Sequence, residues 1–167
     1  MNKKIERSYL EICSLNDLKE SKRPSTLFSI NIIENPDFQL NKFFYKNIGK
    51  KHNWVDRLAW SDKQWIEYIS NNNVKTFILK KEKEYVGFFE LIFHRKIREV
   101  EIAYLGLLEE YQNQKLGSYL LSVAIKNSFL NNPKRVWVHT CSLDHKNALN
   151  NYKSRGMKIF KTESIII

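Results

Sequence analysis

Gln112-Asn113-Gln114-Lys115-Leu116-Gly117-Ser118 is the stretch that decides how this chain is read, because of what flanks it. Upstream, Val100 to Leu108 runs Val-Glu-Ile-Ala-Tyr-Leu-Gly-Leu-Leu, apolar apart from Glu101, and reads as a strand. Downstream, Leu116, Tyr119, Leu120, Val123 and Ala124 recur at helical spacing and predict one buried helix face. A strand that passes through a short polar loop into a helix leaves the first N–H groups of that helix without partners. Together with the positive end of the helix dipole they form an anion site suited to a pyrophosphate. Gly117 permits close approach of the backbone, and Lys115 adds a cation. Alone, the same junction is also the ordinary way a strand feeds a helix, and many such junctions bind nothing.

Working outward, strands and helices alternate. Residues 1–6 form a short basic stretch expected to be a flexible tail, and Ser8 to Ser14 reads as a first strand. Leu27 to Ile33 is expected to be extended. Asn35-Pro36 predicts a helix start, with Asn35 as cap and Pro36 in the first turn. Leu40, Phe43, Phe44 and Ile48 would face inward until Gly49 ends that helix. Ser61 and Gln64 fit a capping box, and Trp60 and Trp65 sit at the positions of a hydrophobic staple. Val74–Leu79 and Glu84–Phe93 predict a hairpin. The central helix should run from Lys115 to Leu130, stopped by Asn131-Asn132-Pro133. A strand at Arg135–Cys141, a helix over Lys146–Ser154 ended by Gly156, and a last strand at Met157–Glu163 complete a mixed α/β pattern.

With 167 residues, 43% apolar and 13% aromatic, the chain suits one globular domain with a real core. No apolar run approaches the ~20 residues that cross a bilayer, so no membrane association is expected. The N-terminal lysines precede no apolar stretch, which excludes a signal-peptide reading and predicts a cytoplasmic location. Cys13 and Cys141 are then reduced thiols, and neither stands in a zinc-binding spacing, so no metal is expected. The net charge of +10 is scattered, and lysine greatly outnumbers arginine. Without a recognition-helix or RNA-binding signature, it predicts no nucleic-acid partner, although it would help attract an anionic cofactor.

Gln112 and Gly117 fit the first and last positions of the pattern Gln/Arg-x-x-Gly-x-Gly/Ala, with Lys115 where the first glycine is usual. Further on, Ala148-Leu149-Asn150-Asn151-Tyr152 and then Arg155-Gly156-Met157 are similar to the signature Ala-x-x-x-Tyr followed by Gly-Phe. In this order, with a strand between them, the two motifs resemble the GNAT superfamily of N-acetyltransferases. The resemblance covers Val74 to the C-terminus and is looser before it, and the run Val136 to His145 looks like a bacterial branch of that superfamily. It implies a GNAT-like α/β fold, a mixed, mostly antiparallel twisted sheet flanked by helices, with acetyl-CoA bound at the central strand–loop–helix. It further implies acetyl transfer to a primary amine of a small molecule or peptide by direct attack in a ternary complex. A non-catalytic CoA-binding regulatory module is the alternative, and Lys115 is the feature that motivates it.

Acetyl transfer from a thioester needs a neutral amine, a held carbonyl and a proton for the departing thiolate. Glu101 stands eleven positions before Gln112, which resembles the spacing of the base in histone-acetylating members, and alternation would put it on one strand face with Ala103. Glu90 is the second carboxylate and is expected, with Trp54, Asp56 and Trp60, to border the acceptor; either glutamate also reads as an ion-pair partner, and water is a third route for the proton. The resemblance puts Tyr152 in the place of the tyrosine facing the CoA sulfur, and a phenol of pKa about 10 suits protonation of a thiolate. It also implies that Leu105 and Leu107 offer backbone groups to pantetheine, that residues 112–118 cradle the pyrophosphate, and that Asn147 contacts pantetheine or caps its helix. Asp144 is expected to be the helix cap. Trp54, Asp56, Arg57, Trp60 and Trp65 lie where the superfamily builds its acceptor side. Aromatic walls with a carboxylate suit an amine, while the tryptophans read equally well as packing anchors. Cys141 shares a strand face with His139, but nothing orients that histidine as a base, so no nucleophile is expected there. Fold does not set the acceptor. The β-branched Ile165-Ile166-Ile167 would suit an intermolecular strand, which leaves a homodimer open.

Overall fold

The computed structural model describes residues 2–167. Its strands are β1 (Lys4–Ile12), β2 (Phe28–Ile32), β3 (Val74–Lys81), β4 (Glu84–His94), β5 (Glu99–Leu107), β6 (Arg135–Cys141) and β7 (Lys158–Ile166). Its helices are α1 (Phe38–Gly49), α2 (Asp62–Ile69), α3 (Leu116–Ser128) and α4 (Ala148–Ser154). The strands form one sheet in the order β2-β3-β4-β5-β6-β1-β7. All neighbours are antiparallel except β5 and β6. That parallel pair is short, holding only Glu99 to Arg135, Val100 to Val136 and Glu101 to Trp137. Beyond it β5 continues to Leu107 and β6 to Cys141 with no ladder between them, so the sheet opens at its middle.

Helix α3 covers one face of the sheet. Leu116, Leu120, Leu121, Ala124 and Ile125 pack on Leu10, Leu91, Ile102, Val136 and Val138, all buried. Each fully buried leucine here contributes about 1.5–3 kcal/mol relative to exposure. Helix α1 packs on the other face, where Phe44 and Ile48 meet Ile78 and Phe88, and the Phe44 and Phe88 rings stack at 5.1 Å. The capping box of α2 forms as expected. The Ser61 hydroxyl accepts from Gln64 N at 3.2 Å and the Gln64 amide oxygen accepts from Ser61 N at 2.9 Å. The Trp60 and Trp65 rings meet edge-on at 5.0 Å.

Several sequence expectations are corrected. Helix α1 is capped by Asp37, whose carboxylate accepts from Gln39 N at 3.0 Å, so Asn35-Pro36 lies ahead of it. Its buried face includes Asn41 and Tyr45, while Phe43 is 40% exposed. Asn41 is tolerated inside because its amide donates to Thr76 Oγ1 at 2.9 Å. Residues 4–6 are strand rather than tail, and β7 runs past Glu163 to pair Ile165 with Ile5 and Ile166 with Lys4. The isoleucines therefore find a partner strand within the chain. A bulge in β5 matters most. Glu90 pairs with Tyr104 but Leu91 with Ile102, which leaves Ala103 as the extra residue. Ile102, Leu105 and Leu107 then all turn toward the α3 side, and Tyr104 turns toward α1. The alternation that would align Glu101 with Leu105 ends at this bulge.

Candidate active site

A cleft of about 540 Å³ opens where β5 and β6 part. One wall is the strand end and loop that lead into α3. The Gln112 side chain ties this loop back by donating to Leu107 O at 3.3 Å. Asn113 (φ 63°) and Lys115 (φ 61°) both take left-handed backbone conformations. A side chain in that region costs roughly 1–2 kcal/mol, which is why glycine is usual there. Lys115 thus keeps the loop's shape at some strain and brings its side chain to the cleft. Among the described residues, no protein acceptor is bonded to the N–H groups of residues 113–118. They open α3, a helix of 13 residues whose dipole adds positive potential at the same place.

Gly117 has a particular role in this wall. A Cβ added there would sit 3.6 Å from Asn151 Nδ2 and 3.9 Å from Leu107 Cδ1, ordinary contact distances. The protein would accept a side chain, so what the glycine preserves is space in the cleft. The unpaired N–H groups and this preserved space fit the pyrophosphate and pantetheine of an acyl-CoA. Leu105, Leu107, Gln112, Asn113, Lys115, Gly117, Ser118 and Asn147 all line the cleft. Gln114 instead donates to Glu110 O on the solvent side, and Leu116 is buried in the core.

Tyr152 enters the cleft from α4 and is 7% exposed. Burial, with a smaller contribution from the Asp144 carboxylate, pushes its phenol pKa above the ordinary value and keeps it protonated. Asp144 is not the helix cap. It accepts from Thr140 Oγ1 at 2.5 Å and from Cys141 N at 3.0 Å, bracing the end of β6. Asn147 occupies the cap position of α4 without a side-chain cap bond.

The opposite wall departs further from expectation. Glu90 is fully buried, and Arg57 Nη1 donates to its two carboxylate oxygens at 2.9 and 3.1 Å. The guanidinium carbon of Arg57 lies 4.1 Å from the Tyr68 ring centroid, 4.5 Å from Tyr104 and 4.8 Å from Trp60. The aromatic cage is thus filled by the chain's own arginine, and Trp60 and Glu90 stand outside the cleft. Trp54 and Asp56 do line it. Trp54 packs so closely on Gly49 that a Cβ there would come within 2.4 Å of Trp54 Cβ, and its ring meets Tyr104 at 4.7 Å. Its indole N–H donates to Asp144 Oδ1 at 3.4 Å. Glu101 Oε1 lies 3.2 Å from His94 Nε2 on the α1 side of the sheet, outside the cleft lining.

Three histidines, His52, His139 and His145, line the cleft. The surrounding walls lower the pKa of His52, helped by His145, and that of His139, helped by Arg7. Arg7, Tyr104 and Asn151 join the lining unforeseen. Tyr104 turns inward only because of the bulge, and Asn151 neighbours Tyr152 on its helix. For Arg7 no local signal exists, because β1 reaches the site through long-range pairing with β6.

A sheet that opens between two parallel strands, with a helix N-terminus at the opening, defines a GNAT-fold protein. The chain belongs to the acetyltransferase (GNAT) family, whose model matches residues 33–157. No curated protein matches it. Among solved structures it is similar to a GCN5-related N-acetyltransferase from Sphaerobacter thermophilus, with a TM-score of 0.73 and 10% identity over 99% of this chain and 51% of that one. A GCN5-related N-acetyltransferase from Kribbella flavida gives 0.67 and 13% over 96% and 56%. The spermidine N-acetyltransferase of Vibrio cholerae, solved with CoA and spermine, gives 0.63 and 17% over 85% and 96%. At these identities the likeness is one of fold, and the chain spans only about half the length of the first two. No helix among the described residues is long and apolar enough to cross a membrane, and no metal-binding cluster is present among them.

Proposed function

We propose that this chain transfers an acetyl group from acetyl-CoA to the primary amine of a small molecule or peptide, by direct attack in a ternary complex. The observation that carries this reading is the row of unpaired N–H groups at residues 113–118, beside a glycine whose missing side chain leaves cleft space. Bound acetyl-CoA supplies an activated thioester. Lys115 and the loop N–H groups hold the pyrophosphate, and the free edge of β5 at Leu105 and Leu107 offers N–H and C=O groups to the pantetheine amides. Trp54 and Asp56 face the acceptor. The amine's proton leaves to water in the cleft, since Glu101 stands outside its lining, and Tyr152 gives its phenolic proton to the departing thiolate as the C–N bond forms and the C–S bond breaks. A cytoplasmic setting agrees with Cys13 and Cys141 being free thiols.

The second reading, a CoA-binding module without turnover, draws on Lys115, which could grip the cofactor too firmly for release. Thiol release from acetyl-CoA with a panel of amines distinguishes the two. Steady release with an N-acetylated product in the mass spectrum supports catalysis; tight CoA binding with no release across the panel supports the module. Tyr152→Phe is expected to lower kcat about 10-fold or more with little change in the acetyl-CoA KM. An unchanged kcat would remove Tyr152 from proton transfer.

A further inference from the structure

Arg7 stands on β1 directly opposite Cys141 of β6. Along β6, Val136, Val138 and Thr140 turn to the buried α3 side, while Trp137, His139 and Cys141 turn to the other. Arg7 shares that second face and lines the cleft. Among the described residues it makes no ion pair, and its Nε is buried without a hydrogen-bond partner. Its neighbour on β7 is Glu163, which feels the Arg7 charge but makes its bonds to other groups. It accepts from the Tyr9 hydroxyl at 3.1 Å and from Lys161 Nζ at 2.7 Å.

Arg7 is half-buried and lines the cleft without an ion-pair partner, and the planar fork of a guanidinium matches a carboxylate in particular. The cofactor's phosphates do not answer this need. Their cradle is at the start of α3, across the sheet from the face that carries Arg7. A second charge borders the same cleft: Asp56 is exposed there and has no ion-pair partner among the described residues. Both charges act on His139 together with Glu101 and Asp144, but Glu101 pairs with His94, and Asp144 accepts from Thr140 and Cys141. One free cation and one free anion thus face a shared space.

Building on the amine-acetylation reading, we propose that the acceptor is a free amino acid, its carboxylate held by Arg7 and its ammonium group drawn to Asp56 before attack. A polyamine carries no carboxylate to meet Arg7, and in a peptide the intervening residues separate the C-terminal carboxylate from the N-terminal amine.

The test uses the CoA-loaded full chain with a panel of free amino acids, the matching amino-acid amides and the matching decarboxylated amines. Two readouts are taken: thiol release with acetyl-CoA, and the rise in melting temperature with CoA alone. The free acids are expected to exceed their amides at least 10-fold in kcat/KM and to give the larger thermal shift. Arg7→Met should remove that preference, while CoA binding by titration calorimetry stays as in the parent and shows that the variant folds. Amides or decarboxylated amines performing as well as the acids, or Arg7→Met keeping the preference, would overturn the proposal. Acids that shift the melting temperature through Arg7 without turnover would leave the carboxylate site standing and defeat the acetyl-transfer reading. No response from any acid in either readout would overturn the carboxylate site, whatever other amine proves to be acetylated.

Discussion

Residues 112–118 and residues 50–60 both border the cleft, but they are held in place by different means. The first loop is a backbone device. It is tied to the strand by Gln112, strained at Asn113 and Lys115, and open at Gly117, with its N–H groups left free. The second is held from within by Arg57, which pairs with Glu90 and is boxed by Tyr45, Trp60, Trp65, Tyr68 and Tyr104. A loop that offers backbone groups needs spacing and little side-chain bulk. A loop that presents side chains needs an anchor, and here that anchor is a buried charge surrounded by rings.

The largest expected effect breaks that anchor. Arg57→Met leaves the Glu90 carboxylate buried and unpaired, which should cost about 3–5 kcal/mol in urea unfolding. Adding Glu90→Gln should recover part of the loss, because the stranded charge is removed. A loss below about 1 kcal/mol in the single variant would mean that the cage does not hold this wall. Gly117→Glu attacks the other wall without touching the anchor. CoA affinity should fall about 100-fold by calorimetry, equivalent to about 2.7 kcal/mol, while the melting temperature stays within a degree or two of the parent. Retained affinity would disprove the role given to the space at Gly117.

Lys115→Gly sharpens the comparison by separating strain from charge. Removing a left-handed side chain should raise stability by about 0.5–1 kcal/mol, and losing the ammonium group should weaken CoA binding a few-fold. If affinity rises instead, Lys115 obstructs the loop. The smallest expected effect is on pH dependence. His52 and His139 have lowered pKa values in the folded chain, so the unfolded chain takes up their protons first. Stability from this source is complete above the ordinary histidine pKa of about 6.5 and declines as pH falls below it toward the folded values. Urea midpoints at pH 7.5 and 5.5 should show this decline, and His139→Gln should reduce it. An unchanged difference would assign the decline to other groups.

The wall formed by residues 112–118 was largely legible in the residues. Gln112 and Gly117 at fixed spacing, followed by a 3.6-residue apolar period, specify a strand–loop–helix locally, and the structure follows them closely. The capping box at Ser61 and Gln64 was legible for the same reason, since both partners lie within one helical turn. Elsewhere a local signal lost to a competitor. Asp37 displaced Asn35 as the cap of α1, and Asn41 entered the core because Thr76 was there to receive its amide. The placement of Glu90 and Trp60 on the acceptor side did not survive, because an aromatic cluster around a cation looks the same in sequence whether the cation is a ligand or Arg57.

What the sequence determined by itself is what neighbours along the chain can enforce: the strand, loop and helix around Gln112–Ser118, the order of elements and the membership of Tyr152 in α4. What only the tertiary structure decided is which side chains share a space. The bulge at Ala103 reassigns the faces of β5 because one extra residue inverts every side chain beyond it. The early end of the β5–β6 ladder opens the cleft. Arg7 reaches that cleft from more than 100 residues away along the chain, through strand pairing that no local pattern near it encodes.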